Sequence, residues 1–351
     1  MIDFSIQRYA FLALAAAALF GASTPLAKLL LESVSPVVLA GLLYLGSGLG
    51  LGLLRLARGP DSHQREAPLA ARDWLWLAGA ILAGGVVAPV LLLWGLAGSG
   101  AAEASLLLNF EGVMTALVAA AVFREAVGAR VGLAALVMLA GGTVLAYDPA
   151  APLAFSPQSL AIVGACFCWA LDNNLTRKIA GADPAVIALI KGLAAGGFNL
   201  ALGLALGATL PAIAVAAGAL ALGFFSYGVS LVLFIHALRH LGAARTGAHF
   251  STAPFIGAAL AVPLLGEPVT AGLGAATVLM TIATWLVLTE SHRHEHEHGY
   301  LVHNHHHVHD EHHQHVHRDG EGSEPHAHEH AHEPMRHAHP HVPDLHHRHE
   351  H

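Results

Sequence analysis

Two stretches of this chain repeat each other, and the repeat limits the possible fold more than any other feature. At an offset of 142 positions, Gly100-Ala101-Ala102 aligns with Gly242-Ala243-Ala244, and Glu125 aligns with Glu267. An offset of 148 relates earlier parts of the copies, for example Pro36 and Pro184. Each copy holds five apolar stretches. Because five is odd, the second copy must enter a membrane inverted relative to the first, an arrangement typical of secondary transporters.

Ten apolar runs are each long enough to approach or cross a hydrocarbon core about 30 Å thick. They predict spans at Tyr9–Leu30, Val34–Leu54, Trp74–Leu96, Ala102–Phe123, Val131–Tyr147, Leu160–Ile179, Ala185–Leu206, Ile213–Leu238, Thr246–Leu265 and Ala271–Thr289. The fold class is an all-α integral membrane protein of ten transmembrane helices in two inverted five-helix repeats. Residues 1–149 form the first repeat, residues 150–289 the second, and residues 290–351 a tail.

Arginine and lysine positions predict the orientation of these spans. They concentrate in alternate loops, and Lys28 at the end of the first span is the exception. The positive-inside rule therefore places both termini, and with them the tail, in the cytosol. The expected location is the inner (plasma) membrane of the cell. Glycine pairs such as Gly48 with Gly52 and Gly192 with Gly196 favour close helix packing within the bundle, and a homodimer is the alternative use of these faces.

Short motifs in both copies resemble a known family. The first span reads Phe20-Gly21-Ala22-Ser23-Thr24-Pro25. The fourth reads Gly112-Val113-Met114-Thr115-Ala116-Leu117 and ends Phe123-Arg124-Glu125, and its counterpart runs from Pro254-Phe255-Ile256-Gly257-Ala258 to Leu265-Gly266-Glu267-Pro268. Together these resemble the EamA-type transporters of the drug/metabolite transporter superfamily over residues 9–289. The resemblance implies ten helices in two inverted halves and alternating-access transport of a small solute, and it leaves the substrate open.

The chain departs from the family pattern by placing polar residues at membrane depth. The fourth span contains Asn109 and Glu111, and Glu111 lies about ten residues from either end. An intramembrane carboxylate costs several kcal/mol unless it is paired, hydrated or protonated, so it is a functional candidate. We expect Glu111 to couple transport to protons or to bind a cation, with a structural, hydrogen-bonded carboxyl as the alternative.

The sixth and seventh spans carry a second polar group. Asp172 and Lys191 lie at similar depths, each about 9 Å from the inner surface at 1.5 Å per residue, so an ion pair between them would neutralise both charges. A structural pair and a gating or substrate role are equally open for them. Asn173 and Asn174 are expected to line the same substrate or ion path with their side-chain amides. His249 is a weaker candidate, because histidines near helix ends are usually interfacial. Pro25, Pro89 and Pro254 are expected to break helices and expose carbonyls to a central cavity, lined by spans one, four, six, seven and nine.

The tail differs in kind from the membrane body. It holds 24 of the 28 histidines and carries 12 Asp and Glu against 4 Lys and Arg, so disorder without a ligand is predicted. Neutral imidazoles bind divalent transition metals such as Zn, Ni, Co or Cu. The expected metal ligands are His292, His294, His296, His298, His303, His305, His306, His307, His309, His326, His328, His330 and His332.

These observations favour a transporter over an enzyme. The expected function is proton-coupled export of a divalent transition metal collected by the tail. The first alternative is an exporter of a small polar metabolite or amino acid, with the tail as metal buffer or sensor, and the second is a membrane-anchored metal store. The expected partners are the lipid bilayer and a small solute or metal ion. Neither a required cofactor nor a nucleic acid is expected.

Overall fold

The computed structural model describes residues 4–58, 69–123, 129–146, 156–179, 182–241 and 243–289, together with four short segments of the tail. The body is helical throughout. The helices of the first repeat are α1 Phe4–Gly21, α2 Ser23–Leu30, α3 Pro36–Arg58, α4 Asp73–Ala80, α5 Ala88–Gly98, α6 Ala101–Leu107, α7 Phe110–Phe123 and α8 Ala129–Ala146. Those of the second are α9 Pro157–Arg177, α10 Pro184–Ala205, α11 Ile213–Gly223, α12 Ser230–Leu241, α13 Ala243–Phe250, α14 Ala253–Leu265 and α15 Ala271–Leu288.

Eight helical stretches in the described residues are long and apolar enough to cross a membrane. Large apolar side chains such as Phe11, Leu75 and Ile213 stay exposed on the outside of the bundle, which is typical of a surface that faces lipid. Two further predicted spans, α8 and α9, pack against α15 and α5 respectively. The apolar stretch of α8 is shorter than the other eight, and α9 carries Asp172, Asn173 and Asn174.

Glycine faces join the two repeats. Helices α3 and α10 pack so closely that a Cβ built on Gly196 would lie 2.5 Å from Leu45 N, and one on Gly192 would lie 2.7 Å from Gly48 N. Small residues permit such backbone approach where lipid supplies no hydrophobic drive for helix association. The glycine spacing is therefore used inside this chain, as the packing interpretation predicts.

Irregularities in the helices occur at equivalent positions of the repeats. Two residues separate α6 from α7 and two separate α13 from α14, and these breaks fall at Leu108–Asn109 and Ser251–Thr252. Short π-helical segments, Ile81–Val87 before α5 and Phe224–Val229 before α12, show the same offset to within one residue. Such π segments are frequent at functional sites. The break at Ala22 between α1 and α2 has no counterpart in α9, which runs unbroken.

Contacts between helix ends identify two faces of the bundle. On one face, Arg55 near the end of α3 lies 2.9 Å from Asp183 before α10. On the other, Ser159 in α9 donates to Glu103 in α6 at 2.6 Å. We call the first the terminal face, because α1 begins and α15 ends on that side when successive spans alternate in direction; the second is the opposite face.

The described tail segments differ from the predicted disorder. Strand β1 His292–His298 pairs antiparallel with β4 Met335–His341, and β2 Leu301–His307 pairs antiparallel with β3 His326–His332. The His-X-His pattern alternates with the two-residue period of a strand. Antiparallel pairing satisfies the backbone hydrogen bonds between the two strands of each pair. The prediction of disorder is corrected for these segments only.

Candidate functional site

Broken helices meet in the interior of the bundle. Gly21, at the end of α1, approaches the backbone of Ala253 at the start of α14 so closely that no side chain would fit between them. A Cβ on Gly257 would lie 2.7 Å from Gly21 O and 2.8 Å from Ser105 Oγ. The interruptions of α1–α2 and α13–α14 therefore lie against each other beside α6. Helix breaks at membrane depth form solute sites in many carriers because they free backbone groups to line a cavity.

A cavity of about 240 Å³ lies beside these breaks. Its wall is mainly apolar and includes the rings of Phe20 and Phe250, whose centroids are 5.5 Å apart. Asn109, Glu111, Ser251 and Thr284 supply polar side chains. A small, largely apolar pocket with a few polar groups is the usual form of a ligand site.

The cavity extends toward the terminal face. Its lining reaches Leu288, the last residue of α15, and runs between α7 and α13. Helices α6 and α14, on the side of the opposite face, pack closely together. Their repeat-equivalent helices α13 and α7 make no comparable contact among the described residues. The pair nearer the opposite face is therefore packed together, whereas residues of the equivalent pair, α7 and α13, line the cavity.

The lining differs from the predicted one. Spans one, four and nine contribute as expected, but spans six and seven give no residue to the wall described here. Their places are taken by Met138 of α8 and by Thr284 and Val287 of α15. The reason is packing: α15 lies against both α8 and α7, which brings the last span to the centre.

Glu111 begins the second half of the fourth span, at the first turn of α7. Asn173 Nδ2 donates to Glu111 Oε1 at 2.9 Å and lies 3.3 Å from Thr115 Oγ1. Span six thus reaches the cavity indirectly, through the amide that holds this carboxylate. Among the described residues, Glu111 forms no ion pair with a lysine, arginine or histidine. Within the described part of the chain, the cavity lining therefore holds one acidic side chain, that of Glu111, without a cationic partner.

Asp172 and Lys191 form the ion pair expected from their matching depth. Lys191 Nζ lies 2.6 Å from both carboxylate oxygens of Asp172, and Thr176 also donates to Asp172 at 2.9 Å. The side chain of Lys191 is 18% exposed and that of Asp172 is 7% exposed. Each charge neutralises the other next to the Glu111 site, so the pair adds no net charge there.

The π-helical segment of span three anchors its neighbours. Tyr44 Oη and Trp169 Nε1 both donate to Gly84 O, at 2.7 and 3.0 Å. Asn199, fully buried, donates to Gly85 O at 3.1 Å. Pro89 lacks the N–H that a helix would direct at a carbonyl of this segment, which leaves carbonyls here available to side chains such as that of Asn199. Pro89 thus lies where the π-helical segment contacts its neighbouring helices, away from the cavity lining.

The other candidate residues occupy several environments. Asn109 lies in the α6–α7 break, donates to Leu106 O at 2.8 Å, and accepts from Thr284 at 3.3 Å. Asn174 donates to Thr115 O and Ala170 O and so ties α9 to α7. His249 contacts Arg245 O of its own helix and is absent from the cavity lining. Pro254 lines the cavity just after the α13–α14 break, and Pro25 is buried just after the α1–α2 break.

The described residues contain no group of three or more His, Cys, Asp or Glu side chains able to hold a metal ion. The predicted tail ligands, apart from His309, fall on the described strand backbones. The strand register sets His294 opposite His339 and His305 opposite His328. His309 lies outside the described residues.

The apolar exterior, the membrane-length helices and the central helix breaks define a multi-pass membrane transporter. This class performs transport and is not an enzyme. The chain belongs to the EamA-like transporter family, whose pattern matches residues 7–147 and 157–289. The sequence resemblance is thereby confirmed.

Two similar proteins extend the comparison. An uncharacterized transporter from Methanothermobacter thermautotrophicus (strain ATCC 29096 / DSM 1053 / JCM 10044 / NBRC 100330 / Delta H) is 28% identical over 285 residues, which cover 76% of this chain and 82% of that protein. A crystal structure with 22% sequence identity covers 80% of this chain and 98% of its own, with a TM-score of 0.58. That structure is similar in fold alone.

Proposed function

We propose that this protein is a ten-span, alternating-access carrier that exchanges protons for a small organic monocation. The observation that carries the proposal is Glu111, an acidic side chain in the cavity lining without a cationic partner among the described residues. Two inverted five-helix halves would rock around it and expose the cavity to each face in turn. Matching breaks and π segments in the two halves support this cycle.

The charge and wall of the cavity favour an organic cation over the other solutes considered. An anion would meet a carboxylate, and a zwitterionic amino acid would need a cationic group, while Lys191 is held by Asp172. A bare divalent metal would need several donors, whereas the wall is mainly apolar. The rings of Phe20 and Phe250 suit a cation with a compact apolar body, since aromatic faces attract positive charge.

Proton exchange follows from the use of one carboxylate for two ligands. A proton and an organic cation each neutralise Glu111, so binding of one displaces the other. The bond from Asn173 holds the carboxylate in place in either state. Protons entering from the outside of an inner membrane would then drive export of the cation. The alternate-loop arginines support this orientation, with both termini in the cytosol.

Transport by the purified full-length protein in proteoliposomes tests the proposal. The probe is radiolabelled benzyltrimethylammonium, which carries a permanent charge and therefore does not accumulate passively by losing a proton. With an acidic interior, wild-type protein should accumulate the probe. Glu111→Gln should reduce uptake at least tenfold, because the glutamine keeps an acceptor for Asn173 but has no charge to exchange.

Glu103→Gln is the matched control, since Glu103 precedes Glu111 in the same span but bonds Ser159 away from the cavity lining. It should retain uptake. Preferential uptake of phenylalanine or nickel by wild-type protein would overturn the proposed solute class. Full uptake by Glu111→Gln would overturn the role of the carboxylate.

The histidine tail favours a second candidate, export of a divalent transition metal that the tail collects. The observation that favours metal export is the set of 24 histidines in residues 290–351. Nickel uptake into inverted vesicles, with the full chain and with residues 290–351 deleted, tests it. Uptake that depends on the tail would support metal export. Nickel binding without uptake, lost on deletion, would favour a metal store or buffer.

A homodimer remains a prediction. The glycine pairs that suggested one pack α3 against α10 within the chain. The proposed carrier cycle needs one chain only.

A further inference from the structure

One carboxylate joins the two repeats at the opposite face. Glu267 Oε1 accepts from Ala101 N at 2.5 Å, and Glu267 Oε2 accepts from Ala102 N at 2.8 Å. The donors are the first two amides of α6, in the first repeat, whereas Glu267 follows α14 in the second. Gly266 adopts a left-handed conformation at φ 66° where α14 ends, and this turn directs the next residue toward α6.

The two helices joined by Glu267 seal the pathway in this conformation. Helix α6 packs on α14, and the buried Ser105 of α6 lies against Gly257 of α14. Each helix is separated from the remainder of its span by a break, at Leu108–Asn109 and at Ser251–Thr252. Such breaks let each half-helix move without bending the rest of its span.

We infer that Glu267 is a latch that holds α6 against α14 and keeps the cavity closed toward the opposite face. Opening toward that face separates the two helices and therefore breaks both hydrogen bonds. The latch sets the balance between the two open states of the carrier. This inference rests on the proposed alternating-access cycle, and it is independent of the identity of the solute.

Accessibility of two single cysteines, measured without solute, tests the latch. The background carries Cys166→Ala and Cys168→Ala. The reporters are Ser105→Cys, in the seal between α6 and α14, and Ser251→Cys, in the cavity that extends toward the terminal face. A membrane-impermeant maleimide is applied to each face in turn, using vesicles of both orientations.

Glu267→Ala should raise the labelling rate of the Ser105→Cys reporter from the opposite face at least tenfold, and labelling of the Ser251→Cys reporter from the terminal face should fall. Glu267→Gln keeps one acceptor and should give an intermediate rate. The control is Glu103→Ala, which removes a carboxylate of the first turn of α6 that accepts from Ser159 of α9 and leaves the contact between α6 and Glu267 in place.

Equal labelling of the Ser105→Cys reporter in Glu267→Ala and Glu103→Ala protein would overturn the latch. That result would leave the Glu111 exchange site untouched, because no solute takes part. If Glu267→Ala protein does not fold, Glu267→Gln decides: wild-type labelling by a folded Glu267→Gln protein also overturns the latch.

Discussion

At the residue scale, the site depends on which charges are neutralised. Asp172 and Lys191 satisfy each other, whereas Glu111 has only hydrogen-bonding neighbours among the described residues. The sequence predicted the ion pair, because spans of known direction place the two residues at one depth. It did not predict that Asn173 contacts Glu111, since the rotation of a helix about its axis is set by packing with other helices.

The ion pair gives a stability prediction. Lys191→Met leaves Asp172 charged and unpaired in a largely buried place, which should destabilise the protein by about 3–5 kcal/mol. The double variant Lys191→Met with Asp172→Leu removes both charges and should recover most of that loss. Thermal unfolding of the purified protein in detergent measures both. A double variant no more stable than the single one would contradict this account of the pair.

At the element scale, the apolar stretches and prolines predicted most of the helical body. They did not predict the two π segments, because the wider turn frees carbonyls and, in the first segment, partners on neighbouring helices bind them. At Gly84 and Gly85 those partners are Tyr44, Trp169 and Asn199, which come from three other helices. The strands of the tail were missed for a different reason: composition indicated disorder, although the alternation of histidine fits a strand.

Close packing of α3 on α10 predicts opposite results for two adjacent glycines. Gly196→Ala places a methyl group 2.5 Å from Leu45 N and should destabilise the protein by about 1–3 kcal/mol. Gly197→Ala meets nothing within 4 Å and should be neutral or stabilising by up to about 1 kcal/mol, since alanine favours helix. The unfolding temperatures of the two variants, measured in the same detergent, test this prediction. Equal temperatures would contradict the backbone-to-backbone packing.

At the scale of the whole molecule, the inverted repeat predicts a second conformation. Helices α6 and α14 are packed, while their equivalents α13 and α7 make no comparable contact in the part of the chain that the structure describes, and exchange of these roles would open the opposite face. The sequence predicted inversion from the odd number of spans. It did not predict which of the two helix pairs is packed in this structure, because both states satisfy the same pattern.

Repeat equivalence adds a prediction for Glu125. In the sequence, Glu125 aligns with Glu267, and Ala243 and Ala244 align with Ala101 and Ala102. In the second conformation, Glu125 would therefore take the part that Glu267 has here. We expect Glu125→Gln to change cysteine labelling in the direction opposite to Glu267→Gln, with the Ser251→Cys reporter gaining terminal-face accessibility. A change in the same direction would contradict the inverted cycle.

The central claim is that one carboxylate in the cavity exchanges a proton for an organic cation. The most direct measurement adds benzyltrimethylammonium to the full-length protein in weakly buffered detergent, at a pH where Glu111 is still protonated, and follows probe binding and proton release together. Wild-type protein should release up to one proton for each cation bound, with binding weakening as the pH falls, and Glu111→Gln should release none. Cation binding without proton release across the pH range, or equal release by the Glu111→Gln variant, would contradict the account.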